Sequence, residues 1–264
     1  MIDLHLHLLP AVDDGAADAG VTLAMLQRAR DIGFQTLVAT PHLPDPLTPD
    51  YATRIAAALD ETRRAAAAFG ITVAQGFEVA LAPDLVLRLN RGEPITLGGG
   101  SAILVDLPFS GWPMHTETSI FALQTAGYRP VLAHPERYRA VQDDPARAIT
   151  LAERGVSLQI NLPSLTGMFG EPARRTAKTL LRAGAVHVAA TDAHSAGHRF
   201  AAVPDGIARL RELVGDDGVH RLLQEGPAAL LTGAPMPDAP RAEARTEDGG
   251  WWGRARRKIG ARHT

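Results

Sequence analysis

The sequence predicts an α/β protein with a parallel sheet. Short β-branched or apolar runs alternate about seven times with longer Ala/Leu/Arg-rich stretches. The longer stretches stop at Gly33, Gly70, Gly155 and Gly184, where a helix C-cap is expected. A polar or ionisable residue stands at or just past the end of each short run, which in β/α proteins is where active sites are built. An open doubly wound sheet and a closed β/α barrel both satisfy this alternation. A chain of 264 residues, 45% apolar, suits one large domain with a substantial core.

Taken in order, Ile2–Leu6 reads as a strand and 19–32 as a helix with apolar residues at helical spacing. Thr36–Ala39 is a second strand. Pro49-Asp50 opens a helical stretch over 51–69, followed by a strand over 71–77 and a short helix over 81–89. Strands at 102–105, 130–133, 156–160 and 186–190 are each separated by one helical stretch, at 117–126, 145–154 and 172–183. Helical segments near 207–214, 219–224 and 228–231 finish this part. From 233 onward the composition turns to Pro, Ala, Gly and charge, which reads as a linker or tail without a packed core.

Charge and composition exclude several function classes. The formal net charge is −2, but residues 241–264 carry seven basic and three acidic side chains, which leaves the body acidic. An acidic body without a basic groove signature speaks against nucleic acid. The basic tail, with Trp251 and Trp252, offers at most a weak contact with an anionic lipid surface or a partner. There is no cysteine, which excludes disulfides, thiolate metal sites and a cysteine nucleophile. No signal peptide and no run long enough to span a bilayer is read, so the expected location is cytoplasmic.

The chemistry is carried by what the strand ends deliver. His5 and His7 are two apart on a strand, so both imidazoles can face one metal. A His pair at a strand end is often ordinary polar surface, but the other strands repeat the pattern. Asp13-Asp14-Gly15 follows the first strand, His42 the second and Glu78 the third; Asp106 ends the fourth. His134 ends the fifth, Asn161 the sixth, and Asp192 and His194 follow the seventh. Imidazoles and carboxylates without thiolates suit Zn, Mn, Fe or Co. Glu78 is suited to bridge two ions, because a carboxylate has two oxygens. Such a cluster can activate water at neutral pH and clamp attacking and leaving oxygens, which fits phosphate ester hydrolysis. Arg137 and Arg199 follow the fifth and seventh strands and could bind phosphate bidentately. His187, inside a strand, reads as packed, and His220 and His263 as surface. His115 and His198 lie in loops near the expected mouth.

MIDLHLHLLPAVDDG, ATPH, GFE, VLAHPERY and TDAH, in that order between about Met1 and Leu231, resemble the polymerase and histidinol phosphatase (PHP) family. Within it, the chain is most similar to the bacterial manganese-dependent protein-tyrosine phosphatases of capsule and exopolysaccharide loci. The resemblance implies a distorted seven-stranded β/α barrel over 1–232, a basic tail over 233–264 and up to three metal ions. Mn2+ is expected, with Fe, Co or Zn as alternatives. His5, His7, Glu78 and Asp192 would hold one ion, Glu78, Asp106 and His134 a second, and Asp14, His42 and His194 a third. Arg137 matches the catalytic arginine of the HPERY motif, and Arg199 a second arginine near the phosphate. The implied substrate is phosphotyrosine on a protein, with a bacterial tyrosine autokinase as partner. A small-molecule phosphomonoesterase and a non-catalytic regulator are the alternatives on the same fold. The chain departs from the family at Asp106, where relatives carry Glu, one methylene longer.

Overall fold

The structure, a computed structural model, describes residues 1–242. Among these residues, eight strands lie in two parallel sheets: β1 (Ile2–Leu6), β2 (Thr36–Ala39) and β3 (Thr72–Gln75) in that order, then β4 (Glu78–Ala80), β5 (Ala102–Asp106), β6 (Arg129–Ala133), β7 (Ser157–Asn161) and β8 (Val186–Ala190). The α/β reading with parallel strands holds. The closed seven-stranded barrel expected from the sequence is not found among the described residues. The expected single strand over 71–77 is two strands, because the chain changes neighbours in the middle. β3 pairs with β2, whereas β4 pairs with β5. The break falls at Gly76-Phe77, where a Cβ on Gly76 would press on the Leu97 and Val38 side chains.

Most strand residues are buried, as befits parallel strands covered on both faces. Ile2 and Leu4 of β1, Val38 of β2, Ala102 and Leu104 of β5, and Val131 and Ala133 of β6 pack in one cluster with Val188 and Leu230. The two sheets therefore share an apolar interior. Isolated parallel bridges, Leu6 with Ala193 and His42 with Glu78, fasten one sheet to the other. Both lie at the end of the molecule where the polar residues emerge. The register slips between Asp3 and Leu6 on β1 and between Leu158 and Gln159 on β7. Irregularities of this kind re-aim side chains and are common beside active sites.

Helices cover the sheets and follow the local signals. α1 (Ala19–Ile32) starts where the Asp18 side chain accepts from Val21 N–H and ends at left-handed Gly33. α2 (Pro49–Ala67) is capped by Thr48 with Pro49 in the first turn. α3 (Leu85–Asn90), α4 (Thr116–Thr125), α5 (Arg139–Asp143) and α6 (Ala146–Glu153) are short, and α7 (Glu171–Ala183) stops at left-handed Gly184. After α8 (His198–Ala201), the expected helices near 207 and 219 are one continuous element. α9 (Val203–His220) runs through a kink at Gly215, then a π-helical turn Arg221–Glu225, into α10 (Gly226–Thr232). Residues 233–242 form no helix or strand but lie against the body. Arg129 Nη1 donates to Ala234 O at 2.8 Å, and Ala242 N–H to Leu181 O at 3.1 Å. The basic stretch with Trp251 and Trp252 lies outside the described residues. No helix among the described residues is long and apolar enough to cross a membrane.

Candidate metal centre

The strand ends converge. Glu78, at the start of β4, is the hub: its Oε1 lies 2.9 Å from His134 Nε2, and its Oε2 lies 3.3 Å from His5 Nε2, His7 Nε2 and His42 Nδ1. Four imidazoles from three strand ends, those of β1, β2 and β6, thus surround one buried carboxylate. Asp192 Oδ1 lies 3.6 Å from His5 Nε2 and 3.8 Å from His7 Nε2. Asp14 Oδ1 lies 3.6 Å from His42 Nε2 and 3.5 Å from His194 Nε2. Three groups have ligand atoms within 4.8 Å of one another: His5, His7 and Asp192; His5, Glu78 and His134; and His7, Asp14, His42 and His194.

Local backbone chemistry makes this approach possible. His134 and Asp192 both adopt left-handed conformations, at φ 32° and 50°. Non-glycine residues seldom sit there, at a cost of about 1–3 kcal/mol each, and such positions cluster at functional sites. Gly15 must be glycine, because a Cβ would collide with the Cβ and carbonyl oxygen of His7. That close approach folds the Asp13-Asp14 loop back onto β1.

A second layer sets the imidazoles. His5 Nδ1–H donates to Gln159 Oε1 at 2.9 Å, Gln159 Nε2–H to Asn161 Oδ1 at 2.8 Å, and Asn161 Nδ2–H to Asp192 Oδ2 at 2.8 Å. This amide relay runs from one member of the first group to another and turns His5 Nε2 toward the cluster. His7 Nδ1–H donates to Asp13 Oδ2 at 2.6 Å, and Asp13 also accepts from His42 N–H and Gly15 N–H. His5 Nε2, His7 Nε2 and His134 Nδ1 are buried without a hydrogen-bond partner. Buried polar atoms are rarely left so. Nε2 atoms of His5 and His7 facing carboxylates at 3.3–3.8 Å fit a cation between them.

The electrostatics agree. Burial alone would lower both imidazoles, but Glu78 and Asp192 lift His5 to about 9, and Asp13 and Glu78 lift His7 to about 10. Burial by itself would raise the Glu78 carboxyl, yet His5, His134 and His7 hold it well below the usual range. Asp192 is likewise brought down to about 2, against its burial, by His5, His134 and Arg199. Burial and the neighbouring His7 lower His194 to about 4. The carboxylates thus create a strong demand for positive charge, which protons meet when no metal does.

Arg137 and Arg199 reach the same carboxylate from the rim. Arg137 Nη1 donates to Asp192 Oδ2 at 2.6 Å, and Arg199 Nη1 lies 3.2 Å from Asp192 Oδ1. Asp14, His42, Glu78, Asp106, His134, Asp192 and His194 line a cleft of about 100 Å³ with both arginines and Phe109. Larger hollows of about 410 Å³ lie away from this cluster.

Of the nine expected ligands, eight fall in the three groups, and Asp106 falls in none. It lines the cleft, but its Oδ1 accepts from the Tyr138 hydroxyl at 2.8 Å, and that hydroxyl accepts from Leu107 N–H. Burial and the charge of Glu78 raise the Asp106 carboxyl. His187 is packed as expected, its Nδ1 accepting from Leu158 N–H at 3.2 Å. His115 does not line the cleft; its Nε2 is bonded to Leu81 O. Gln159, Tyr138, Phe109 and Phe169 were not singled out by the sequence, and Asp13 stood out only as the neighbour of Asp14, without a role of its own. A signal existed for Gln159, which stands two residues before Asn161 on β7, the same spacing as His5 and His7.

The fold and the site define a parallel α/β protein with a histidine–carboxylate cluster able to hold metal, framed by two arginines. The chain matches over residues 1–232 the family model described as capsular polysaccharide synthesis, CpsB/CapC. It is 31% identical over 233 residues to the tyrosine-protein phosphatase YwqE of Bacillus subtilis, covering 88% of this chain and 91% of that protein. It is 27% identical over 201 residues to the putative tyrosine-protein phosphatase CapC of Staphylococcus aureus, covering 75% and 79%. A solved structure reported with YwqE from Bacillus subtilis and CpsB from Streptococcus pneumoniae, described as unique metal-dependent tyrosine phosphatases, matches at a TM-score of 0.84. It is 29% identical and covers 93% of this chain and all of its own. The chain belongs to the CpsB/CapC family.

Proposed function

We propose that this protein is a metal-dependent protein-tyrosine phosphatase. The carrying observation is Glu78 surrounded by four imidazoles beneath two arginines. Its relatives' names supply the substrate: YwqE and CapC are called tyrosine-protein phosphatases. The residues that would hold metal are His5, His7, Glu78 and Asp192 for one ion, Glu78, Asp106 and His134 for a second, and Asp14, His42 and His194 for a third. With Oδ1 taken by Tyr138, Asp106 has only Oδ2 to offer. Mn2+ is the expected ion. Bound metal would supply water activation and charge neutralisation for the phosphoryl oxygens.

The chain's own residues do the rest. Each guanidinium has five N–H donors, so Arg137 and Arg199 keep donors for phosphoryl oxygens beyond those spent on Asp192. Their charge offsets what develops on the phosphoryl group. With no cysteine in the chain, no phosphocysteine intermediate is available. The partner is a tyrosine-phosphorylated protein, a bacterial tyrosine kinase of capsule or exopolysaccharide synthesis, met in the cytoplasm.

Phosphate release from a phosphotyrosine peptide tests this, using metal-stripped protein resupplied with Mn2+, Co2+, Fe2+ or Zn2+ beside a His5→Ala/His7→Ala control. Activity should return with metal and stay absent in the control. Hydrolysis of small phosphomonoesters but not of the peptide would keep the site and overturn the tyrosine assignment. No release from either would favour a non-catalytic role.

A further inference from the structure

Arg137 is held between two phenylalanines. Its Cζ lies 4.6 Å from the Phe109 ring centroid and 4.2 Å from that of Phe169. Phe169 also lies beneath Arg199, with Cζ at 5.4 Å. Both rings come from loops at the mouth. Phe109 follows β5, with its ring 5.7 Å from that of His134. Phe169 lies between the short turn Leu162–Thr166 and α7.

Stacking on arginine does not account for the exposure of Phe109, which is 48% accessible and lines the cleft. Phe169 is half-buried. The cleft itself is about 100 Å³, well below the roughly 300–1,000 Å³ that encloses a whole ligand. It can admit a phosphoryl group, but whatever that group is attached to must remain at the rim. The polar floor would bind any phosphomonoester; the rim is where ester groups can be told apart. Aromatic pairs favour offset-stacked and edge-to-face contacts, which a second ring satisfies better than a flexible alkyl chain.

We propose that Phe109 and Phe169 are specificity-determining walls that receive the aryl ring of an aryl phosphate while its phosphoryl group faces Arg137 and the histidine–carboxylate floor. This deepens the phosphatase reading and rests on the same site. It also assigns the two rings a second duty, since the same side chains position Arg137.

Titration of the metal-loaded protein with phenylphosphonate and methylphosphonate, which are not hydrolysed, isolates the aryl contact. Beside it, kcat/KM is measured on phosphotyrosine and on glycerol 2-phosphate. Aryl esters are intrinsically more reactive, but that difference cancels when each variant is divided by the wild type. Phe109→Ala and Phe169→Ala should each lower the phenyl-over-methyl binding preference by about tenfold, the scale of one aromatic contact. They should also cut activity on phosphotyrosine more than on glycerol 2-phosphate. Phe109→Leu, which keeps apolar bulk, should fall between. Equal losses on both ligand classes would overturn the proposal and leave the rings as positioning residues for Arg137. If the wild type prefers phenylphosphonate but hydrolyses no phosphomonoester, the phosphatase reading falls and the aryl site stands. If it hydrolyses phosphotyrosine while neither substitution moves the preference, the reading stands and the aryl site falls.

Discussion

The inner and outer halves of the cluster are built differently. His5, Glu78 and His134 have side chains only 0%, 3% and 3% exposed, whereas Asp14, His42 and His194 are 64%, 49% and 18% exposed. The inner half is braced by a relay of side-chain amides and by strands buried on both faces. The outer half stands on loops, with Asp13 as its main brace. Desolvated, pre-oriented ligands lose little freedom on binding a cation, and exposed ones lose more. The inner positions should therefore retain metal through dialysis that empties the outer one.

The strongest test of that contrast is Glu78→Gln. The substitution keeps the shape and removes the charge that four imidazoles share. Metal retention at the inner positions should collapse, and activity should fall by about 10³ or more, the equivalent of several kcal/mol of lost charge stabilisation. His42→Ala should cost only the outermost ion, leaving inner metal content unchanged by elemental analysis. Equal metal loss in the two variants would break the distinction between inner and outer halves.

A milder test acts one layer back. Gln159→Leu has similar bulk but cuts the relay at its first amide, freeing His5 to turn and leaving Asn161 Oδ1 without its donor. Such outer partners are typically worth about 10–100-fold in metal affinity. A competition titration with a chelator should read a loss of that size at the inner positions, with little change in the outer one. An unchanged inner affinity would mean that the strand ends alone orient His5.

The residues that the fold gathers into the cluster were legible in the sequence because most are tied to a local signal: a two-apart spacing, or a position at or just past a strand end. The parallel strands and the helix stops at Gly33 and Gly184 were legible for the same reason. What escaped depends on distant pairing. The split between β3 and β4 follows from which neighbour each segment finds, and no pattern within 71–80 encodes that. Gln159 and Tyr138 look like ordinary strand and turn residues until His5 and Asp106 are placed beside them. Phe109 and Phe169 are 60 positions apart in sequence and meet only through Arg137. The order of these residues along the chain pointed to the cluster, but not that Asp106 would be held by a tyrosine rather than grouped with the others.

The effect furthest from the chemistry lies beneath the cluster. Asp3 is fully buried and ties β1 to the end of β8, with Oδ2 accepting from the Thr191 hydroxyl at 2.6 Å and Oδ1 from Thr191 N–H at 3.1 Å. Burial raises its pKa to about 6, only partly offset by the Thr191 and His5 hydrogen bonds. The folded state therefore binds this proton more tightly than the unfolded chain, whose Asp titrates near 3.9. Its contribution to stability is full below about pH 4 and is lost as pH rises through about 6, by about 3 kcal/mol in all. Asn at position 3 cannot ionise and has nothing to lose over that interval. Its amide can donate to the Thr191 hydroxyl, which can then turn toward His5 O, at 3.5 Å. In metal-free protein, urea unfolding of Asp3→Asn should thus gain on the wild type as pH rises from 4 to 7, whatever the offset between the two curves. Parallel curves over that range would mean that Asp3 stays charged in the fold, held by Thr191 alone.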